Sequence, residues 1–345
     1  MTDTDDVGST VPDVTEGRLG MFLRIVGLLL LAGGLVGLYY GPLEIGCFYL
    51  FSRGGRFYHT GFGVGSFWFA CLVAQNLIYY FVAAVCIPVG IGFLQLRAWS
   101  RQLVLTVLYS WLAFGTGISL GFAFSLGGLA GYYGWSSILL IGAAILVVAI
   151  AVPLLLLRVF NGGRITSALA EGRPGFMDRI SRAVQVTVVM NAAFIILLHV
   201  DIFFNGMFPV FGRFIFLRKG IAVISAVILC LAVFSYGYAL GKKWGFWGLL
   251  STYALLLVSC VTTFARYSVH EILMLLKYSP YELREYQQVI SMIKRVNFTA
   301  LVASLLLVAL AVLLLGRFDV SRNELPIGKR DPGRELREST GSSLH

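Results

Sequence analysis

The stretch LQLRAWSRQLVL, Leu94 to Leu105, crowds Arg97, Trp99 and Arg101 together between two long apolar runs. An arginine at the centre of a bilayer costs on the order of 3 kcal/mol or more, so two of them one helical turn apart mark a point where the chain has reached headgroups and water. Trp99 suits the same depth, because an indole favours the interface between hydrocarbon and water. The stretch therefore reads as the tight turn between two membrane-spanning helices, and it sets the frame for the rest of the chain.

Composition points the same way. Of the 345 residues 58% are hydrophobic and 13% charged, where an ordinary soluble domain carries about a quarter charged residues, and the mean hydropathy is +0.83. Runs such as Ile25 to Tyr40, Ile138 to Leu157, Ile221 to Leu240 and Phe298 to Leu315 approach or reach the roughly 20 residues a helix needs to cross hydrocarbon. They lack the alternation of polarity that a transmembrane barrel requires. The predicted fold class is all-α: a polytopic integral membrane protein with about eight transmembrane helices.

The spans are predicted at Leu19–Tyr40, Ser66–Leu94, Leu103–Phe124, Ser136–Leu157, Ala183–Phe204, Gly220–Leu240, Trp247–Ala265 and Val296–Gly316. Pro88, Gly90 and Gly92 predict a tilt or kink near one end of the second. The acidic, Thr-rich start of the chain precedes an apolar run longer than a cleavable signal would carry, so the first span is expected to be a signal anchor. The domain organisation is then a disordered cytoplasmic tail over 1–18, a transmembrane domain over 19–316 and a second such tail over 317–345.

The turn at Arg97 has a counterpart. Gly92 precedes Trp99 by the same interval at which Gly237 precedes Trp244, and Arg97 corresponds to Lys242, with Lys243 beside it. These turns join spans two to three and six to seven. Two readings stand: a duplication giving similarly oriented four-helix halves, 19–158 and 183–316, or the plain tendency of any short interfacial turn to attract Trp and cations.

Eight spans put both termini on one side, and that side holds 17 of the 27 Lys and Arg, against 10 on the other. The positive-inside rule places it in the cytoplasm. The turn residues Arg97, Trp99, Arg101, Lys242, Lys243 and Trp244 are the expected topology anchors. The loop Arg266 to Arg295 runs against this pattern with five of the contrary cations. The net charge of +10 reads as orientation signal and contact with anionic lipids of the bilayer, not as nucleic-acid binding.

The segment Leu96-Arg97-Ala98-Trp99-Ser100-Arg101 resembles the Leu-Arg-x-Trp-x-Arg interhelical turn of uncharacterised bacterial multi-pass membrane proteins. The resemblance covers the second and third spans. It implies a bacterial inner-membrane setting and no activity.

The loops on the predicted outer side, GPLEIGCFYLFSRGGRFYHTGFGVGSFWF, LGGLAGYYGWSS and FFNGMFPVFGRFIF, are rich in Gly and aromatic residues. They read first as an interfacial aromatic belt with Gly-rich turns. A functional reading makes them a platform where an amphipathic ligand lies against rings, with Arg53, Arg56 and Arg213 meeting an anionic head. In SPYELREYQQVISMIKR, Ser279 and Glu282 have capping-box spacing ahead of an apolar stripe, which predicts a short surface helix.

Catalytic signatures do not stand out. The sequence holds no His-Glu-x-x-His, no Gly-rich phosphate loop, no Cys-x-x-Cys and no Gly-x-Ser-x-Gly, and Cys47, Cys71, Cys86, Cys230 and Cys260 are scattered. No cofactor or metal is expected, and neither is enzymatic activity. Asp201 is the one carboxylate expected inside a span, where an ionisable group is a functional candidate by default; pairing with Arg53, Arg56 or Arg213 is the competing structural explanation. The expected function is that of a non-enzymatic membrane component such as a subunit, assembly factor or sensor. The alternative is a transporter or lipid-handling permease for a small or amphipathic ligand. Nothing in the sequence identifies a protein partner.

Overall fold

The computed structural model describes residues 14–59, 63, 66–163, 165, 169, 180–203, 205–276, 284, 287, 291 and 294–323. Among them, eight helices are long and apolar enough to cross a membrane. The chain is an all-α polytopic membrane protein. The elements are α1 (Val14–Phe51), α2 (Phe67–Leu94), α3 (Ala98–Ala123), α4 (Leu126–Tyr133), α5 (Trp135–Leu146), a π-helical turn (Val147–Ala151), α6 (Val152–Phe160), α7 (Arg182–Phe203), β1 (Phe208–Val210), β2 (Arg213–Ile215), α8 (Leu217–Ala239), α9 (Lys243–Phe264), α10 (Val269–Leu275) and α11 (Phe298–Asn323). The π turn joins α5 and α6 into the fourth span. The end where α1 begins and the eighth span finishes is the proximal end; the other is distal.

The first helix departs from expectation most. The apolar run stops at Tyr40 and Gly41-Pro42 reads as a break, yet α1 continues through Pro42 to Phe51. A backbone in or near lipid has no water to bond to, so remaining helical past one missing N–H is cheaper than uncoiling. α1 also begins at Val14, inside the stretch expected as a tail, and α11 runs past Gly316 to Asn323. α2 passes through Pro88 as one helix, and Ser66 caps it by accepting from the Phe69 N–H.

Gly20, Gly27, Gly34 and Gly41 recur every seven residues along α1 and turn one face of it to α2. A Cβ on Gly27 would meet the Gly90 carbonyl oxygen at 2.8 Å, and one on Gly34 would meet Ile87 Cγ1 at 2.7 Å. Small residues at heptad spacing let two antiparallel helices touch along their backbones, which is how association is driven where hydrophobicity cannot drive it.

The fourth span carries its π turn just ahead of Pro153. A proline ring collides with the carbonyl four residues back, and a widened turn moves that carbonyl aside. The displaced Ala149 carbonyl lies against Gly115 of α3, where no side chain would fit.

Helices α7, α8, α9 and α11 close a ring, with α3 packed outside against α11 and α7. The ring's core contains Met190, Leu231, Leu249, Tyr253 and Leu313, all nearly inaccessible. Asn191 sits among them, donating to Ser235 Oγ at 2.7 Å and accepting from the Tyr253 hydroxyl. A second core joins Leu23, Phe93, Leu105, Leu157 and Phe160 of the first four spans.

The two interhelical turns match bond for bond. Arg97 N–H donates to the Gly92 carbonyl at 2.8 Å and Lys242 N–H to the Gly237 carbonyl at 2.9 Å. Leu96 and Gly241 both take positive φ, +50° and +70°, and Arg97 and Lys242 are the extended N-caps that follow. In each turn the indole lies on the glycine seven positions before it. Interfacial preference explains a Trp at this depth; the bare glycine explains why it stands at this position.

The segment FFNGMFPVFGRFIF, expected as an aromatic belt with a Gly-rich turn, contains a β-hairpin with Val210 opposite Arg213. Phe211 and Gly212 both have positive φ, the two-residue type I′ geometry that matches strand twist. The Phe211 and Gly212 amides donate to Ser259 Oγ (3.0 Å) and Thr263 Oγ1 (2.8 Å), one turn apart on α9. Non-helical backbone beside a bilayer must be satisfied within the protein, and here two hydroxyls do that. A capping box forms at Ser268 and Glu271 to start α10. The one expected at Ser279 and Glu282 lies outside the described residues.

Candidate functional site

Extending α1 to Phe51 brings Glu44 onto α2. It follows Gly41 by one turn on the heptad face, so it meets the distal end of its neighbour. Glu44 Oε1 accepts from Gln75 Nε2 at 2.8 Å and from the Tyr79 hydroxyl at 3.0 Å, and Gln75 also donates to the Tyr79 oxygen at 2.7 Å. Among the described residues Glu44 Oε2 is buried with no hydrogen-bond partner. One turn deeper, Asn76 is 6% exposed; its Nδ2 donates to the Leu72 carbonyl at 3.0 Å, while its Oδ1 is likewise unpartnered.

Glu44 and Gln75 border a cavity of about 510 Å³ whose other walls are Cys47, Phe48, Phe51, His59, Trp68, Cys71 and Leu72. The lining carries one carboxylate, one amide, one imidazole, two thiols and the rings of Phe48, Phe51 and Trp68. Gln75 lies about 28 Å along α2 from Leu94, at about 1.5 Å per residue. That is close to the roughly 30 Å thickness of the hydrocarbon, so the cavity sits at the distal headgroup level when Leu94 marks the other surface.

Asp201 sits at a similar level, near the distal end of α7, and is half-buried in electrostatic range of the Cys260 thiol. Phe69 links the two regions, its ring 5.5 Å from Phe48 and 5.6 Å from Phe203. Among the described residues Asp201 makes no ion pair with Arg53, Arg56 or Arg213. Arg53 and Arg56 are exposed on the turn after α1, the latter 5.7 Å over the Phe57 ring. Arg213 is exposed on β2. The three arginines and Asp201 form no common site.

Of the topology anchors, Arg97, Lys242, Lys243 and Trp244 are exposed at the proximal end, and Trp99 is half-buried. Arg101 does more than mark a surface: its Nε donates at 3.0 Å to the Phe160 carbonyl at the end of α6. Arg182, at the start of α7, donates to both the backbone and the side-chain oxygen of Gln102. Arg317 lies 4.8 Å over Phe246 and 5.0 Å over Trp247.

Among the described residues no three His, Cys, Asp or Glu side chains group to hold a metal, and the described cysteines are free thiols. The arrangement at Glu44 is suited to binding: a carboxylate fixed by two donors, a free acceptor oxygen, and rings. Sequence reading missed Glu44 because hydropathy ended the span before it. The heptad of glycines, continued through Gly41, is the signal that puts it on the α2 face. Compared with protein-family models, with curated proteins and with solved structures, the chain matches none of them.

Proposed function

We propose that the protein is a non-enzymatic membrane component, a sensor or subunit, that holds a small amphipathic ligand in the cavity between α1 and α2. The observation that carries this reading is Glu44 Oε2, a buried acceptor without a partner among the described residues, at the wall of an aromatic-lined cavity. A buried polar atom left unpaired costs about 1–3 kcal/mol, and a ligand donor would recover it. The rings bind the ligand's apolar part, and the carboxylate selects a donor or a cation against them. The cation census supports both termini in the cytoplasm, with the cavity at the outer leaflet, and the resemblance of the Leu96–Arg101 turn supports a bacterial inner membrane.

The ring of α7, α8, α9 and α11 favours a static role over transport. Its innermost polar groups, Asn191, Ser235 and Tyr253, bond to one another. The test is to purify the protein in mild detergent and identify retained small molecules by mass spectrometry, beside Glu44→Gln and Asp201→Asn. The expected result is a ligand retained by the native protein and by Asp201→Asn and lost from Glu44→Gln, with all three folded. Equal retention by Glu44→Gln, or retention of nothing by the native protein, refutes the reading.

A further inference from the structure

A second opening lies at the other end of the bundle, unconnected with Glu44. Helices α3 and α11 are pinned together distally. A Cβ on Gly117 or Gly121 would run into Leu305 or Leu301 at 2.8 and 2.7 Å, and the Asn297 N–H donates to Ser125 Oγ at 2.9 Å. Proximally the pair is not pinned in this way. There α7 approaches α11 at Gly316, whose Cβ would stand 3.3 Å from that of Ala183, and Arg182 ties α7 to α3 through Gln102. Three helices held at opposite ends leave a wedge between them. It measures about 800 Å³, and its walls include Leu112, Val186, Val308, Val312 and Leu315, with Arg182 the one charged lining residue among the described residues.

We infer that this wedge binds one acyl chain of an anionic phospholipid, whose headgroup meets Arg182. Shape and charge carry the assignment. From Leu315 to Val308 the wall extends about 10 Å at about 1.5 Å per residue, most of the roughly 15 Å depth of one leaflet. The mouth is at the helix end where headgroups lie. The guanidinium is held there by its bonds to Gln102, so an anion meets a charge already positioned instead of a mobile side chain. A zwitterionic lipid would fill the apolar part equally well, so the charge is what discriminates.

The test uses the full chain in nanodiscs of equal phosphatidylglycerol and phosphatidylcholine, released into detergent and weighed by native mass spectrometry. The native protein should retain phosphatidylglycerol over phosphatidylcholine by about fivefold, the preference that one interfacial cation supplies. Arg182→Lys should keep that preference. Arg182→Gln should retain a lipid without it, and Ala311→Phe, an exposed position on the wall, should displace both lipids from a folded protein. No preference in the native protein, or an unchanged preference in Arg182→Gln, overturns the inference. So does undiminished lipid in Ala311→Phe, a variant that tests the wedge even where Arg182→Gln fails to fold.

Discussion

Neighbouring glycines of α1 should respond to the same substitution with opposite sign. Gly27 lies on the heptad face, and a Cβ there would meet the Gly90 carbonyl oxygen at 2.8 Å, Phe93 Cβ at 2.9 Å and Leu94 N at 3.1 Å. None of these is the end of a flexible side chain, so α1 must withdraw. A gap of about 0.5–1 Å forfeits a quarter to a half of the dispersion energy of each contact, and overpacking of this kind costs about 1–3 kcal/mol. Alanine's better helix propensity returns roughly 0.5–1 kcal/mol. The net expectation for Gly27→Ala is a loss of about 1–2 kcal/mol. Gly33 is exposed, and nothing lies within 4 Å of a Cβ built on it. Gly33→Ala should therefore gain the propensity term alone, about 0.5–1 kcal/mol. Reversible unfolding in mixed micelles, followed by intrinsic fluorescence, reads both values. Gly27→Ala proving as stable as Gly33→Ala would refute the claim that this stripe sets the distance between the helices.

Asn191→Leu strands the hydroxyls of Ser235 and Tyr253 inside the ring, at a cost of about 1–3 kcal/mol, towards the low end for interhelical bonds in membranes. Adding Tyr253→Phe and Ser235→Ala should recover part of that loss; strictly additive losses would mean that the three do not act together. At α10, outside the spans, the Ser268 backbone N–H and hydroxyl both donate to Glu271 and hold its carboxyl below the usual carboxylate value of 4.5. A depressed folded-state pKa gives stability that is present above the ordinary carboxylate range and lost as pH falls through the lowered value. Amide protection over 271–276, corrected for intrinsic exchange, should fall on acidification in the native protein and stay level in Glu271→Gln. The same acid dependence in both would count against the cap.

The spans could be read because each is a local property. A run of apolar residues long enough to cross lipid must be helical wherever it lies, since its backbone groups have no other partners. The two Trp-bearing turns were legible for the same reason: charge and indole mark the surface whatever the neighbours do. Errors fell where a local signal and a contact disagreed. Gly41-Pro42 looks like a stop, but packing against Asn76 and Tyr80 carries the helix onward and brings Glu44 onto α2. The hairpin at Phe208 to Ile215 has no regular alternation to announce it, and it is held by hydroxyls of α9 nearly fifty residues away in the chain.

The sequence by itself determined the class and the rough placement of the eight spans, because hydropathy acts residue by residue. Only the tertiary structure decided which helices touch and what lies between them. That Gly27 meets Gly90, that a cavity opens beside Arg182 between α3, α7 and α11, and that one oxygen of Glu44 lacks a partner among the described residues all depend on shapes meeting across the bundle. Such fits arise from close packing between helices distant in sequence, and no single helix contains them.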